Sequence, residues 1–294
     1  MLFRKIALVG VGLLGGSLAL AIREGKLASG VQGYVRREAS FVECEQAGLK
    51  NFATCDLIAA VRDADLIILC TPLAQMRELV VRMLPALRKG AIVSDVGSVK
   101  GSVIAELESV IVSAGAHFIG THPMAGGEKM GVTAACAALF RNAACVITPT
   151  PISNADAVST LQEFWRALGS RVLTMSPELH DELVARCSHL PHVVAAELAN
   201  YVLDPSHPKE QPLLCANGFR DTTRIASGSP EMWRDIALAN AAQLSAVLGV
   251  FVEDLQKLRR AIEGGDADAV EKFFVNAKQR RDAWNAQLSS PSPE

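Results

Sequence analysis

The sequence predicts an α/β protein: a Rossmann-type, doubly wound, mostly parallel sheet over residues 1–174, followed by an all-helical dimerisation domain over residues 175–294. Three observations carry that prediction. Gly10-x-Gly12-x-x-Gly15 stands between an apolar run and an Ala/Leu-rich stretch, the strand–turn–helix setting in which glycines approach a pyrophosphate. Short apolar runs then alternate with helical patterns, as parallel strands covered on both faces do. Beyond residue 175 only helical patterns remain.

In order, residues 6–9 form the first strand and the stretch to about Lys26 the first helix. Residues 31–35, 66–70, 91–93 and 143–147 are apolar or β-branched runs of strand length, and Phe118-Ile119 is a shorter one. Helical patterns occupy 40–47, 75–84, 99–112 and 155–168. Ser176-Pro177-Glu178 is a helix start, with a serine cap, a proline at the first helical position and an acid in the first turn. The helix is expected to run to about Leu203, bent at Pro191. Ser229-Pro230-Glu231 opens another, and its almost uncharged stretch 236–252 offers no polar face, so it is expected to be buried, between subunits. A charged helix over 267–288 follows Gly264-Gly265, and the polar, proline-containing tail 289–294 is expected to be disordered.

The net charge of −2 gives no reason to expect nucleic acid or an anionic membrane as partner. The seven cysteines are scattered, odd in number and without a C-x-x-C pair, which fits free thiols in a reducing cytoplasm better than disulfides or zinc. Met1-Leu2-Phe3-Arg4-Lys5 followed by an uncharged run has the outline of a signal peptide, but the glycines that interrupt the run are explained by the nucleotide turn.

At the cofactor end, Gly10 allows the tight turn, Gly12 the approach of backbone to phosphate, and Gly15 the close packing of helix on strand. The amides of Leu13 and Leu14 open the helix toward the phosphates. Thr71 and Pro72 end the 66–70 run on the same edge. The second strand ends in Arg36 and Arg37, without the acid that accepts from a ribose 2′-hydroxyl, so a 2′-phosphate and hence NADP is favoured over NAD. The opposing reading makes the arginines surface charges and lets Glu38 contact ribose.

At the catalytic end, residues 120–128 read as a loop holding His122 and Glu128, and residues 95–100 as a second loop holding Ser98. A histidine there can take a proton near neutral pH. Ser98 reads as a hydrogen-bonding partner of substrate or histidine, or as a helix cap. His189 and His192 share a helix face; with no third ligand in sight, a polar pair facing the cleft is favoured over a metal site. Within residues 218–226, Arg224 can fork onto a carboxylate, and Trp233 follows. These groups suggest a dehydrogenase acting on a small carboxylic acid.

Residues 10–17, 95–100, 122–128, 188–192 and 218–226 with Trp233, in this order, resemble the prephenate/arogenate (cyclohexadienyl) dehydrogenase family of tyrosine biosynthesis, over nearly the whole chain. The resemblance implies an oxidative decarboxylation of prephenate or arogenate to 4-hydroxyphenylpyruvate or tyrosine, with hydride passing to NAD(P) and no metal. It implies that His122 accepts the hydroxyl proton with Ser98 as its hydrogen-bonding partner, that Arg224 pairs with a substrate carboxylate, and that His192, Glu128 and Trp233 line the pocket. Arg220 is expected to be structural, with Asp221. A homodimer is implied. Chorismate mutase and amino-acid-sensing regions, fused in some relatives, are not found in this sequence, so feedback by tyrosine is expected at the active site. Hydroxyacid and imine-type reductases share the general plan but typically rely on a lysine in the helical domain, and none lies between Ser176 and Asp204. A non-enzymatic nucleotide sensor would not need Ser98, His122 and Arg224 together.

Overall fold

Apolar runs without polar alternation suit strands covered on both faces. The computed structural model, which describes residues 1–127 and 129–289, builds its sheet from them. Strand β1 (Phe3–Val9) leads into α1 (Leu13–Glu24). Then come β2 (Ala28–Tyr34), α2 (Ala39–Gln46), β3 (Ala53–Thr54), α3 (Leu57–Val61), β4 (Leu66–Leu69), α4 (Leu73–Met83), β5 (Ile92–Asp95), α5 (Gly101–Ser113) and β6 (His117–Pro123). A long connection leads on to β7 (Ala144–Thr148), α6 (Ala155–Ala167) and β8 (Arg171–Thr174). The strand order is β3-β2-β1-β4-β5-β6-β7-β8. All neighbours are parallel except β6 and β7. The order reverses between β1 and β4, the switch point at which such sheets open a ligand crevice.

Alternate residues feed the two faces. Ile6 and Leu8 join a core with Leu18, Phe140, Phe164 and Trp165, whereas Ala7 and Val9 join one with Leu79, Val80, Leu107 and Ile111. Phe140, Phe164 and Trp165 meet edge to face at 5.5–5.6 Å, a geometry that adds to the area they bury.

The chain divides into two compact units, Met1–Leu244 and Ser245–Glu294. The first continues through α7 (Pro177–Val184), a π turn at Ala185–His189, α8 (Leu190–Val202), α9 (Asn217–Thr223), a 3-10 turn at Arg224–Ser227 and α10 (Pro230–Ala239). Helix α11 (Ala241–Glu263) begins in the first unit and ends in the second, which also holds α12 (Ala267–Ser289). Gly265 makes the turn between them at φ +68°, a conformation that costs glycine little. Ser176 and Ser229 cap their helices as expected, accepting from the amides of Leu179 and Met232 at 3.2 and 3.3 Å.

The structure departs from the sequence reading in definite places. Strand β2 starts at Ala28, and β3, α3 and β8 are short elements that the sequence reading does not include. Pro191 does more than bend a helix. It has no N–H for the carbonyl four residues earlier, and the chain ahead of it widens into the π turn. The uncharged stretch 236–252 is not one helix: it breaks at Asn240, whose side chain donates to the Asp181 carbonyl at 2.8 Å. Nor is it buried within the chain, since only Ile236 and Leu244 among its apolar residues are covered, while Leu238 is 71% and Val250 61% exposed. Ser289 ends α12, and the rest of the tail, 290–294, lies outside the described residues. Among the described residues no single helix is long and apolar enough to cross a membrane.

Candidate active site

The glycine turn has the shape of a phosphate cradle. Gly10 lies at φ +99°, and a Cβ there would meet Thr71 Cγ2 at 2.7 Å. A Cβ on Gly15 would fall onto the Gly10 carbonyl oxygen, so only glycine lets α1 pack this close to the turn. A Cβ on Gly12 would meet nothing within 4 Å: the space in front of the first turn of α1, at Leu13 and Leu14, is open. Thr71, which precedes Pro72 at the end of β4, has a buried hydroxyl with no hydrogen-bond partner among the described residues. An open space before helical amides and an orphaned hydroxyl beside it fit a dinucleotide pyrophosphate. Arg36 and Arg37, past the tip of β2, are both exposed, as is Glu38.

The connection after β6 is seated on this turn. A Cβ on Gly16 would meet Val132 and Ala135 at 2.8 and 2.9 Å, and the Cys136 amide donates to Ser17 Oγ at 2.9 Å. Glu128 lies in the same connection, outside the described residues.

His122 is 7% exposed and sits inside β6, not in a loop, because the strand continues to Pro123 by pairing antiparallel with β7, His122 opposite Val146. Its Nδ1 is 2.8 Å from His180 Nε2, and His180 Nδ1 is 2.8 Å from Asp181 Oδ1. Asp181 also accepts from the amides of Lys100 at Oδ1 and Gly101 at Oδ2, both at 2.8 Å. Burial alone would raise the Asp181 carboxyl, but the bonds from His180, Lys100 and Gly101 outweigh it and hold the group below its ordinary value. An ionised Asp181 only accepts, which assigns the tautomers of neutral rings in turn. His180 carries its proton on Nδ1 and accepts at Nε2, so His122 carries its proton on Nδ1 and leaves Nε2 as a lone pair. Burial pushes the His122 imidazole well below its usual value, and His180, Lys100 and His189 push it further. The neutral, proton-accepting form is therefore the resting one at neutral pH.

The remaining residues form a second group beside Asp181. Asn240 Nδ2, bonded to the Asp181 carbonyl, is also 3.3 Å from His189 Nδ1. His189 is 1% exposed, its Nε2 has no partner among the described residues, and burial lowers its imidazole to about 4. Its ring meets Trp233 edge-on at 6.1 Å, and Trp233 stacks on His192 at 3.8 Å. His192 donates from Nδ1 to the Ser188 carbonyl at 2.9 Å, which leaves its Nε2 as an acceptor. Arg224 begins the 3-10 turn packed against α8, the helix that carries His192.

Ser98 is half-buried in the β5–α5 loop, where its backbone faces His189. No hydrogen bond joins it to His122 among the described residues; His180 holds that place. Nor does Ser98 cap α5, which starts at Gly101 and is capped by Asp181 from 80 residues away. His180, Asp181, Lys100 and Asn240 were not singled out from the sequence. Adjacent helical residues such as His180 and Asp181 make no face pattern, and the signal available was polar residues within apolar stretches.

Residues 18–174 match the family model of the prephenate dehydrogenase nucleotide-binding domain, and residues 176–276 that of the prephenate dehydrogenase dimerization domain. The chain is 37% identical to a cyclohexadienyl dehydrogenase of Zymomonas mobilis over 95% of either chain. It is similar to the crystal structure of Aquifex aeolicus prephenate dehydrogenase in complex with hydroxyphenyl propionate and NAD+, with a TM-score of 0.88 at 30% identity, covering 95% of this chain and 98% of that one. Synechocystis arogenate dehydrogenase matches with a TM-score of 0.78 at 31% identity, covering 95% and 99%.

The glycine turn separates folding from binding. Gly15→Ala should lower the melting temperature, because its methyl group displaces the Gly10 carbonyl. Gly12→Ala should melt like the parent yet lose at least about tenfold in affinity for the nicotinamide dinucleotide, since even 1.4 kcal/mol of lost contact is a factor of ten. Thermal melts and nucleotide fluorescence titrations check both. Full binding by Gly12→Ala contradicts the cradle.

Proposed function

The chain belongs to the prephenate dehydrogenase family of NAD(P)-dependent oxidoreductases, and from that premise we propose that it oxidatively decarboxylates prephenate, arogenate or both, with NADP as the preferred acceptor and His122 as the base. The carrying observation is the bonded series His122–His180–Asp181, which leaves His122 Nε2 as a lone pair on a ring kept neutral.

The bound dinucleotide supplies the hydride acceptor. His122 Nε2 takes the proton of the substrate hydroxyl, and the electron density left on oxygen favours departure of hydride from the carbinol carbon. Carbon dioxide leaves from the ring carboxylate, its bonding pair completes the aromatic ring, and the phenolic oxygen recovers the proton from His122. While His122 is protonated, His180 accepts from its Nδ1 and Asp181 from His180, so the positive charge meets an oriented carboxylate one ring away. Arg224 is assigned to a substrate carboxylate, and His192, Trp233, His189 and Glu128 to the walls of the pocket. Ser98 is assigned to the substrate hydroxyl.

Arg36 and Arg37 support NADP: both are exposed past the tip of β2, where guanidinium groups suit a 2′-phosphate. The family matches support a division of labour near residue 175, nucleotide binding before it and substrate binding with dimerisation after it. A homodimer is further supported by exposed apolar side chains late in the chain, among them Val250, Ile262, Phe274 and Trp284. Seven free cysteines suit the reducing cytoplasm.

His122→Asn should reduce turnover by roughly 10²–10⁴-fold, the range for losing a general base, with cofactor affinity nearly unchanged. Because the His122 pKa lies well below 6.5, its neutral form persists as the pH falls. The acid limb of kcat/KM should therefore lie below pH 6.5. A limb at or above the ordinary histidine value would contradict the assignment.

Assays of prephenate and arogenate, each with NAD and NADP, test substrate and acceptor together. Replacing Arg36 and Arg37 by alanine should raise the KM for NADP about tenfold or more, the scale of one charged hydrogen bond, while the KM for NAD stays within a factor of about two. Equal effects on both cofactors would remove the NADP assignment.

A further inference from the structure

Lys100 is a cation that the reaction outlined above does not use. It is fully buried, as is Asp95, and the ammonium donates to Asp95 Oδ2 and, at 2.8 Å, to the carbonyl of Thr121, the residue before His122. Its own backbone amide donates at 2.8 Å to Asp181 Oδ1, the oxygen that also takes the proton of His180. Lys100 thus reaches His122 by two routes, through the Thr121 backbone and through Asp181 and His180 to the ring. A buried cation is expensive unless it is paired and hydrogen-bonded, and a helix start needs no charge at this position. A methionine would fill nearly the same volume without that cost.

We propose that Lys100 is a positioning residue for His122, gripping the strand backbone behind the histidine through its ammonium and the far end of the imidazole series through its amide. Its charge also acts on the ring, since a cation behind a buried imidazole disfavours the imidazolium and keeps the base ready to accept. The groups around His122 are His180 from α7 with Asp181 behind it, His189 from the π turn, Lys100 from the β5–α5 side with Asp95 behind it, and the Cys145 thiol from β7 against the His122 backbone. Of the formally charged groups among them, Lys100 is the cation, and Asp95 and Asp181 are the anions that hold it.

The inference rests on His122 being the base, and the test separates the two. Profiles of kcat and kcat/KM against pH are measured on the full-length enzyme for the parent, His122→Asn, Lys100→Met and Asp95→Asn, with thermal melts alongside. Lys100→Met is expected to lower kcat at least about tenfold with the substrate KM within about threefold, and to move the acid limb upward by roughly half a unit to one unit, as loss of a nearby like charge does. Asp95→Asn removes the counter-charge that offsets burial of the Lys100 ammonium, so it is expected to weaken the cation and move the limb upward, in the same direction as Lys100→Met. It decides the question by itself where Lys100→Met does not fold. A structural role alone would lower the melting temperature and leave both limbs at the parental pH, and that result overturns the proposal while the base assignment stands. A parent without an acid limb, or His122→Asn turning over like the parent, removes the base assignment and this proposal with it.

Discussion

The Asp181 carboxylate is the point on which the site turns. One side chain accepts from the first amides of α5 and from His180, all at 2.8 Å. It thereby caps a helix of the nucleotide-binding sheet with a residue from the helical part of the chain, and it fixes the protonation pattern of two imidazoles. Capping alone contributes about 0.5–2 kcal/mol; the larger consequence is chemical. Were Asp181 protonated or turned away, His180 could donate toward His122 instead of accepting from it, and the lone pair on His122 Nε2 would no longer be assured. The competition is visible in the acid itself, where burial favours the neutral form and three hydrogen bonds to the anion prevail.

The same economy runs through the rest of the site. The Asn240 amide bonds the Asp181 carbonyl and lies beside His189, and the helix breaks there, separating α10 from α11. Pro191 removes one helical hydrogen bond, the π turn ends at His189, and one residue past the proline His192 stands stacked against Trp233. Local departures from ideal helix, often read as defects, here coincide with the positions that carry polar groups.

Much of the fold was legible because it rests on local patterns: apolar runs for strands, glycine spacing for the turn, and serine-proline pairs for two helix starts. His122, His189, His192 and Trp233 are linked by contacts that pass through His180, Asp181 and Asn240. The linking residues were not legible. A carboxylate that caps a helix 80 residues away leaves no periodicity, and a lysine buried against an aspartate looks in sequence like any loop charge. Ser98 lies in the β5–α5 loop as its sequence position indicates, but the alternative that it caps α5 does not hold, because Asp181 takes the first amides of that helix. The uncharged stretch 236–252 reads from composition as one helix buried between subunits; within this chain it breaks at Asn240 and most of its apolar residues are uncovered, and composition alone does not say what covers them.

The proposed chemistry depends on the tautomer of His122. Nitrogen-15 NMR of the histidine-labelled enzyme at neutral pH, with His122→Asn used to assign the signal, reports which ring nitrogen carries the proton. The expected result is a neutral ring protonated at Nδ1 with an unprotonated Nε2. A proton on Nε2, or an imidazolium at that pH, would contradict it.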